Sequence, residues 1–191
     1  KYGLQQGSKF TQKLHLRTFN IELEIYRDTK DWQKGIQLIE KVSAFISKNQ
    51  KTIAETYLLQ LWYQFAYIYF MAAEYNNALR WVNEILNYKF GADRKDLQSY
   101  ARLLNLMIHF ELGNSFVLKY AVDRTRRWLK KQKSIEPFEK VLLKFFSKIS
   151  NAPKGEFKGM FRKLSTELFE GDQPLVTEND LDYLDFKGWI E

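Results

Sequence analysis

Six cations crowd into one short stretch, at Arg124, Arg126, Arg127, Lys130, Lys131 and Lys133, and they are the densest chemistry in the sequence. At helical periodicity Arg124, Arg127 and Lys131 share one face, with the other three on its flank. Such a basic patch holds phosphate through charge alone, with little sequence information and a steep salt dependence. It equally suits a solvated helix whose C-terminal cations meet the helix dipole, or a dock for the acidic Glu178, Asp180, Asp182 and Asp185 near the end of the chain. Acid–base chemistry is thinly supplied. The two histidines, His15 and His109, are far apart, and His109-Phe110-Glu111 lacks the second ligand or base that a metal site or a nucleophile needs. With no cysteine there is no thiolate ligand, thiol nucleophile or disulfide, and Gly155 and Gly159 are wrongly spaced for a phosphate loop. The expectation is a non-catalytic protein with no cofactor and no metal.

The elements that must carry these residues are helical. Of 191 residues, 45% are hydrophobic and 16% aromatic, while Gly and Pro number only 9 and 3, which disfavours both disorder and a turn-rich β fold. The net charge of +7 is uneven: residues 1–150 carry 25 basic and 14 acidic side chains, residues 151–191 carry 5 and 9. The chain begins at Lys1 without an initiator Met and with no apolar signal core near it, so a processed product or, in preference, a piece of a longer protein is expected, and its expected location is cytoplasmic. Residues 56–73 carry no charge, which would suit a bilayer, but Gln60, Gln64 and four tyrosines interrupt them. A central buried helix, apolar on all sides, is the expectation there, with no membrane insertion.

Apolar residues at steps of three and four place helices in pairs along the chain. Leu16, Phe19, Leu23 and Tyr26 mark a helix over 10–28, and Trp32, Ile36, Ile39 and Ile46 mark its mate. Helices at 52–73 and 75–88 form the next pair, closed at Gly91 and Asp93, and a third pair spans 94–112 and 114–132 about a break at Gly113. Pro137 opens a seventh helix, and Phe157, Phe161, Leu164 and Leu168 define an eighth that ends near Gly171. Residues 1–171 thus read as one array of about four antiparallel hairpins. Residues 172–191 read as a tail whose Leu181, Leu184 and Trp189 cap the last hairpin.

The pairs superimpose when Gly35, Ala78 and Val117 are equated, with Phe19, Trp62 and Ala101, then Tyr26, Tyr69 and Ile108, then Ile39, Val82 and Ala121 in register. This pattern resembles the tetratricopeptide repeat, although the spacings of 43 and 39 between these positions exceed the family's period. The segments ALRWVNEILN, DLQSYARLLNLMIHFELGN and LDYLDFKGWIE are also similar to the C-terminal region of uncharacterised bacterial repeat proteins. The resemblance implies an all-α, right-handed solenoid that serves as a protein-binding scaffold.

It further implies a concave groove lined by the first helix of each hairpin. Carried over residue by residue, that wall comprises Arg17, Asn20, Glu24 and Arg27, then Gln60, Tyr63, Tyr67 and Phe70, then Ser99, Arg102, Leu106 and His109. A polar rim around an aromatic centre suits a peptide or a partner helix, and the alternative has Tyr63, Tyr67 and Phe70 simply buried against adjacent helices. The expected partner is therefore a protein or peptide, with nucleic acid on Arg124, Arg127 and Lys131 as the alternative.

Overall fold

The structure, a computed structural model, describes residues 2–88, 94–132, 135–170 and 173–190, with side chains from Phe10 onward. Among the described residues it is all-helical and has no strand. The expected stop at Gly91, cap at Asp93, cation at Lys133 and helix end near Gly171 lie outside the described residues. No helix among the described residues is long and apolar enough to cross a membrane. The chain divides into two compact units, Lys1–Arg94 and Lys95–Glu191.

The first unit holds α1 (Tyr2–Asp28), α2 (Trp32–Asn49), α3 (Glu55–Met71) and α4 (Tyr75–Asn87). Asp31 starts α2: its carboxylate accepts the Lys34 N–H at 3.3 Å and pairs with the Lys34 ammonium at 2.6 Å. Helix α3 packs against α1, α2 and α4, and every residue from Leu61 to Phe70 is buried. That follows from its composition, since a helix that is apolar on all sides has no face to offer water. Small residues set the close approaches. Ala66 and Ala78 are fully buried, and a Cβ on Gly35 would meet Ile68 Cγ2 at 3.0 Å. Phe65 and Trp81 join α3 to α4 edge-on at 4.8 Å.

The second unit holds α5 (Lys95–Glu111), α6 (Ser115–Gln132), α7 (Pro137–Ile149), α8 (Phe157–Phe169), α9 (Glu178–Tyr183) and α10 (Phe186–Ile190). Pro137 sits in the first turn of α7, where a missing N–H costs nothing, and Glu139 completes the cap by accepting the Glu136 N–H at 2.9 Å. The tail belongs to this unit. Trp189 lies 5.1–6.3 Å from the rings of Phe110, Phe145, Phe146 and Phe161, and its indole N–H donates to Glu111 at 2.7 Å. Tyr183 stacks on Tyr100 at 4.6 Å.

Three hairpin turns are built alike, and they reset the register. Lys30, Ala73 and Gly113 each take a left-handed φ, of 56°, 58° and 68°. The next N–H in each turn, from Asp31, Glu74 and Asn114, reaches back five residues to the carbonyl of Tyr26, Tyr69 and His109, always at 2.9 Å. This is the Schellman closure of a helix C-terminus. Equating the turns places Leu118, not Val117, opposite Gly35 and Ala78, with spacings of 43 and 40. Burial agrees: Leu118 is 1% exposed and Val117 43%. Arg102, His109 and Val122 then replace Ala101, Ile108 and Ala121 as the equivalents of Trp62, Tyr69 and Val82.

Candidate functional site

The residues expected to line a groove are largely spent on the interior. Tyr63, Tyr67 and Phe70 are only 3–6% exposed, so the aromatic centre is not an open wall. The physical reason is the uncharged character of α3 on every side, which drives all of its faces out of water. Gln60 is half-buried. Asn20 is turned inward to a polar knot between α1 and α3: it accepts from Gln64 at 2.8 Å and donates to Glu24 at 2.7 Å. Arg27 pairs with its neighbour Asp28 at 3.4 Å. Arg17 alone among the expected groove residues of the first unit is exposed, and among the described residues no acid pairs with it.

In the second unit His109 is buried, and desolvation holds its pKa below the ordinary histidine range. Tyr26 and Tyr69 stand at the same position before the other two turns, half-buried and buried respectively. Arg102 lies over the Trp128 ring at 4.5 Å, with Nε buried and without a hydrogen-bond partner. Burial, followed by the nearby Arg124, lowers its pKa to about 10, so it stays charged at neutral pH. His15, in the first unit, is exposed and sits 6.1–6.3 Å from the rings of Phe45 and Phe19.

A cavity of about 280 Å³ in the second unit gathers Ser99, Tyr100, Glu139 and Asp180. Its polar groups already serve one another. The Ser99 hydroxyl donates to Glu139, the Tyr100 hydroxyl donates to Asp180, and Asp180 also caps α9 through Thr177. Burial raises the Glu139 pKa against the opposing pull of its two hydrogen bonds. Among the described residues no group of His, Asp or Glu is arranged to hold a metal ion. The expected basic face is solvent-exposed at Arg124, Arg127 and Lys131, and among the described residues Glu178, Asp180, Asp182 and Asp185 do not pair with it.

Two exposed apolar surfaces stand apart from the expected groove. On α1, Phe10, Leu14, Ile21 and Ile25 are 52–70% exposed. At 100° per residue they fall within a sector of about 60°, a seam about 22 Å long opposite the buried Leu16 and Leu23. On α6, Phe116, Val117 and Tyr120 are exposed, with the two rings edge-on at 5.0 Å. The signal for the α1 seam was present as a second apolar set at helical spacing beside the core set.

Comparison with protein-family models, with curated proteins and with solved structures finds no match for this chain.

Proposed function

We propose that this chain is a non-catalytic scaffold of tetratricopeptide-like hairpins, acting in the cytoplasm, that docks an amphipathic helix of another protein on the outer face of α1. The observation that carries the reading is the exposed seam of Phe10, Leu14, Ile21 and Ile25. A solvated helix face has no use for four large apolar side chains in one line, and covering each contributes about 1 kcal/mol or more. The width of the seam matches a single helix laid alongside, as in the pairing of helices through a narrow apolar stripe.

Arg17 selects the kind of partner. It lies about 20° outside the seam and midway along it, between Leu14 and Ile21. Pairing with a second copy, parallel in register or antiparallel about the centre, brings two Arg17 side chains together, and like charges at an interface are penalised. A partner helix with an acidic residue at its middle satisfies Arg17 instead.

Selection of displayed helical peptides on the immobilised chain tests this. The expected consensus has apolar residues at i, i+4 and i+7 around a central Asp or Glu, and selection is lost with Ile21→Asp. Equal enrichment on the Ile21→Asp variant counts against the reading. So does a dimer in solution that Ile21→Asp dissociates.

A further inference from the structure

Between α6 and α7 lies an open cleft of about 460 Å³ lined by Arg126, Lys130, Lys140, Lys144 and Lys148, with no acidic side chain in its walls. Ile135 and Leu143 supply its apolar lining. The lysines of α7 recur at every fourth residue, so three charges stand on one face about 6 Å apart. Arg126 is the one member with an acidic partner, Asp123 at 2.9 Å, an exposed pair of little energetic weight. Four lysines without an acidic partner and one weakly paired arginine repel one another in this cleft, and that cost is recovered when a chain of anions enters.

The basic surface continues out of the cleft. On α6, Phe116, Tyr120, Arg124, Arg127 and Lys131 fall within a sector of about 80° next to Arg126 and Lys130. The exposed rings of Phe116 and Tyr120 stand at one end of this face and the cations at the other. We propose that single-stranded nucleic acid binds here, its phosphates in the α6–α7 cleft and its bases stacked on Phe116 and Tyr120.

Three observations favour this ligand. Lysine meets phosphate as a point charge without demanding one geometry, which suits a flexible backbone. Exposed aromatic rings beside a basic groove are what unpaired bases use and what an acidic peptide does not need. The cleft's volume of about 460 Å³ is at the scale of small-ligand pockets and narrow for a duplex. The site is separate from the α1 seam, so it stands or falls independently of the scaffold reading.

Fluorescence anisotropy of a labelled oligothymidylate tests the proposal on the whole chain. If all five cleft cations meet phosphates, the log–log salt slope is about −3.5, and affinity falls about a hundredfold between roughly 50 and 200 mM salt. Lys144→Ala with Lys148→Ala brings the slope to about −2.1, and Phe116→Ala with Tyr120→Ala weakens binding about tenfold at unchanged slope. All four positions are exposed, so each variant is expected to stay folded, which circular dichroism checks. No binding at roughly 50 mM salt, equal affinity for polyglutamate or for phosphatidylserine vesicles, or an unchanged slope in the lysine variant overturns the proposal.

Discussion

The backbone N–H of Asn114 donates to the carbonyl of His109 at 2.9 Å, closing the turn after α5 in the way that Glu74 closes on Tyr69 after α3 and Asp31 on Tyr26 after α1. Each closure needs a left-handed residue just before it, and only Gly113 is of the type that takes this conformation freely. Lys30 and Ala73 take it with a Cβ in place, at roughly 1 kcal/mol each. Ala73→Gly is therefore expected to stabilise the fold by about 0.5 kcal/mol, the relief of strain being partly offset by the freer unfolded chain. Gly113→Ala is expected to cost about 1 kcal/mol from the backbone alone, because no atom lies within 4 Å of the new Cβ. Urea titration of both variants checks the opposite signs.

Gly35 makes a different demand. A Cβ there meets Ile68 Cγ2 at 3.0 Å and Cδ1 at 3.3 Å, so the Ile68 side chain or the spacing of α2 and α3 must give by a few tenths of an ångström. The better helix propensity of alanine returns about 1 kcal/mol, while overpacking costs about 1–3. Gly35→Ala is expected to destabilise wild type and to stabilise an Ile68→Ala background, where the obstruction is gone. A double-mutant cycle by chemical denaturation reads the change of sign.

Glu139 gives the second unit a pH signature. Burial is the main cause of its raised pKa in the folded state, so the folded protein takes up this proton at a higher pH than the unfolded chain. The stability linked to it is fully present below the ordinary carboxylate range and is lost as pH rises through the folded-state pKa. Relative to Glu139→Gln, wild type is expected to gain stability as the solution is acidified from neutrality. Denaturation midpoints of the two proteins at a series of pH values test this, and parallel curves contradict it.

Trp189 fastens the tail through four phenylalanine rings and its bond to Glu111. Trp189→Ala is expected to cost about 3 kcal/mol, and Trp189→Phe less, since the ring contacts partly survive. Loss of near-ultraviolet dichroism and a lowered Tm report it.

Much of this was legible in the sequence for a definite reason. The helices follow from apolar steps of three and four, and the burial of α3 from its lack of charge over residues 56–73. The register of the third hairpin was not legible. Val117 and Leu118 are both apolar and adjacent, and only the hydrogen bond that closes the turn at Asn114 decides between them. The aromatic centre expected for the groove is buried for a related reason. Tyr63, Tyr67 and Phe70 belong to the same uncharged helix whose burial was expected, so they could not also form an open surface. The seam on α1 was hidden by its neighbours, because a helix with two apolar faces gives a blurred periodicity in which Leu16 and Leu23 stand out first. The lysines of α7 were visible at fourfold spacing, but their convergence with Arg126 and Lys130 is a property of packing.

Hydrogen exchange with a selected amphipathic peptide bound tests the scaffold reading most directly, because it reports where the partner lies as well as whether it binds. Protection is expected to rise over residues 10–25 of α1. Arg17→Glu is expected to abolish it, and a peptide carrying Lys at its central acidic position to restore it. Unchanged exchange in α1 with the peptide bound, or full protection in the Arg17→Glu variant, contradicts the account.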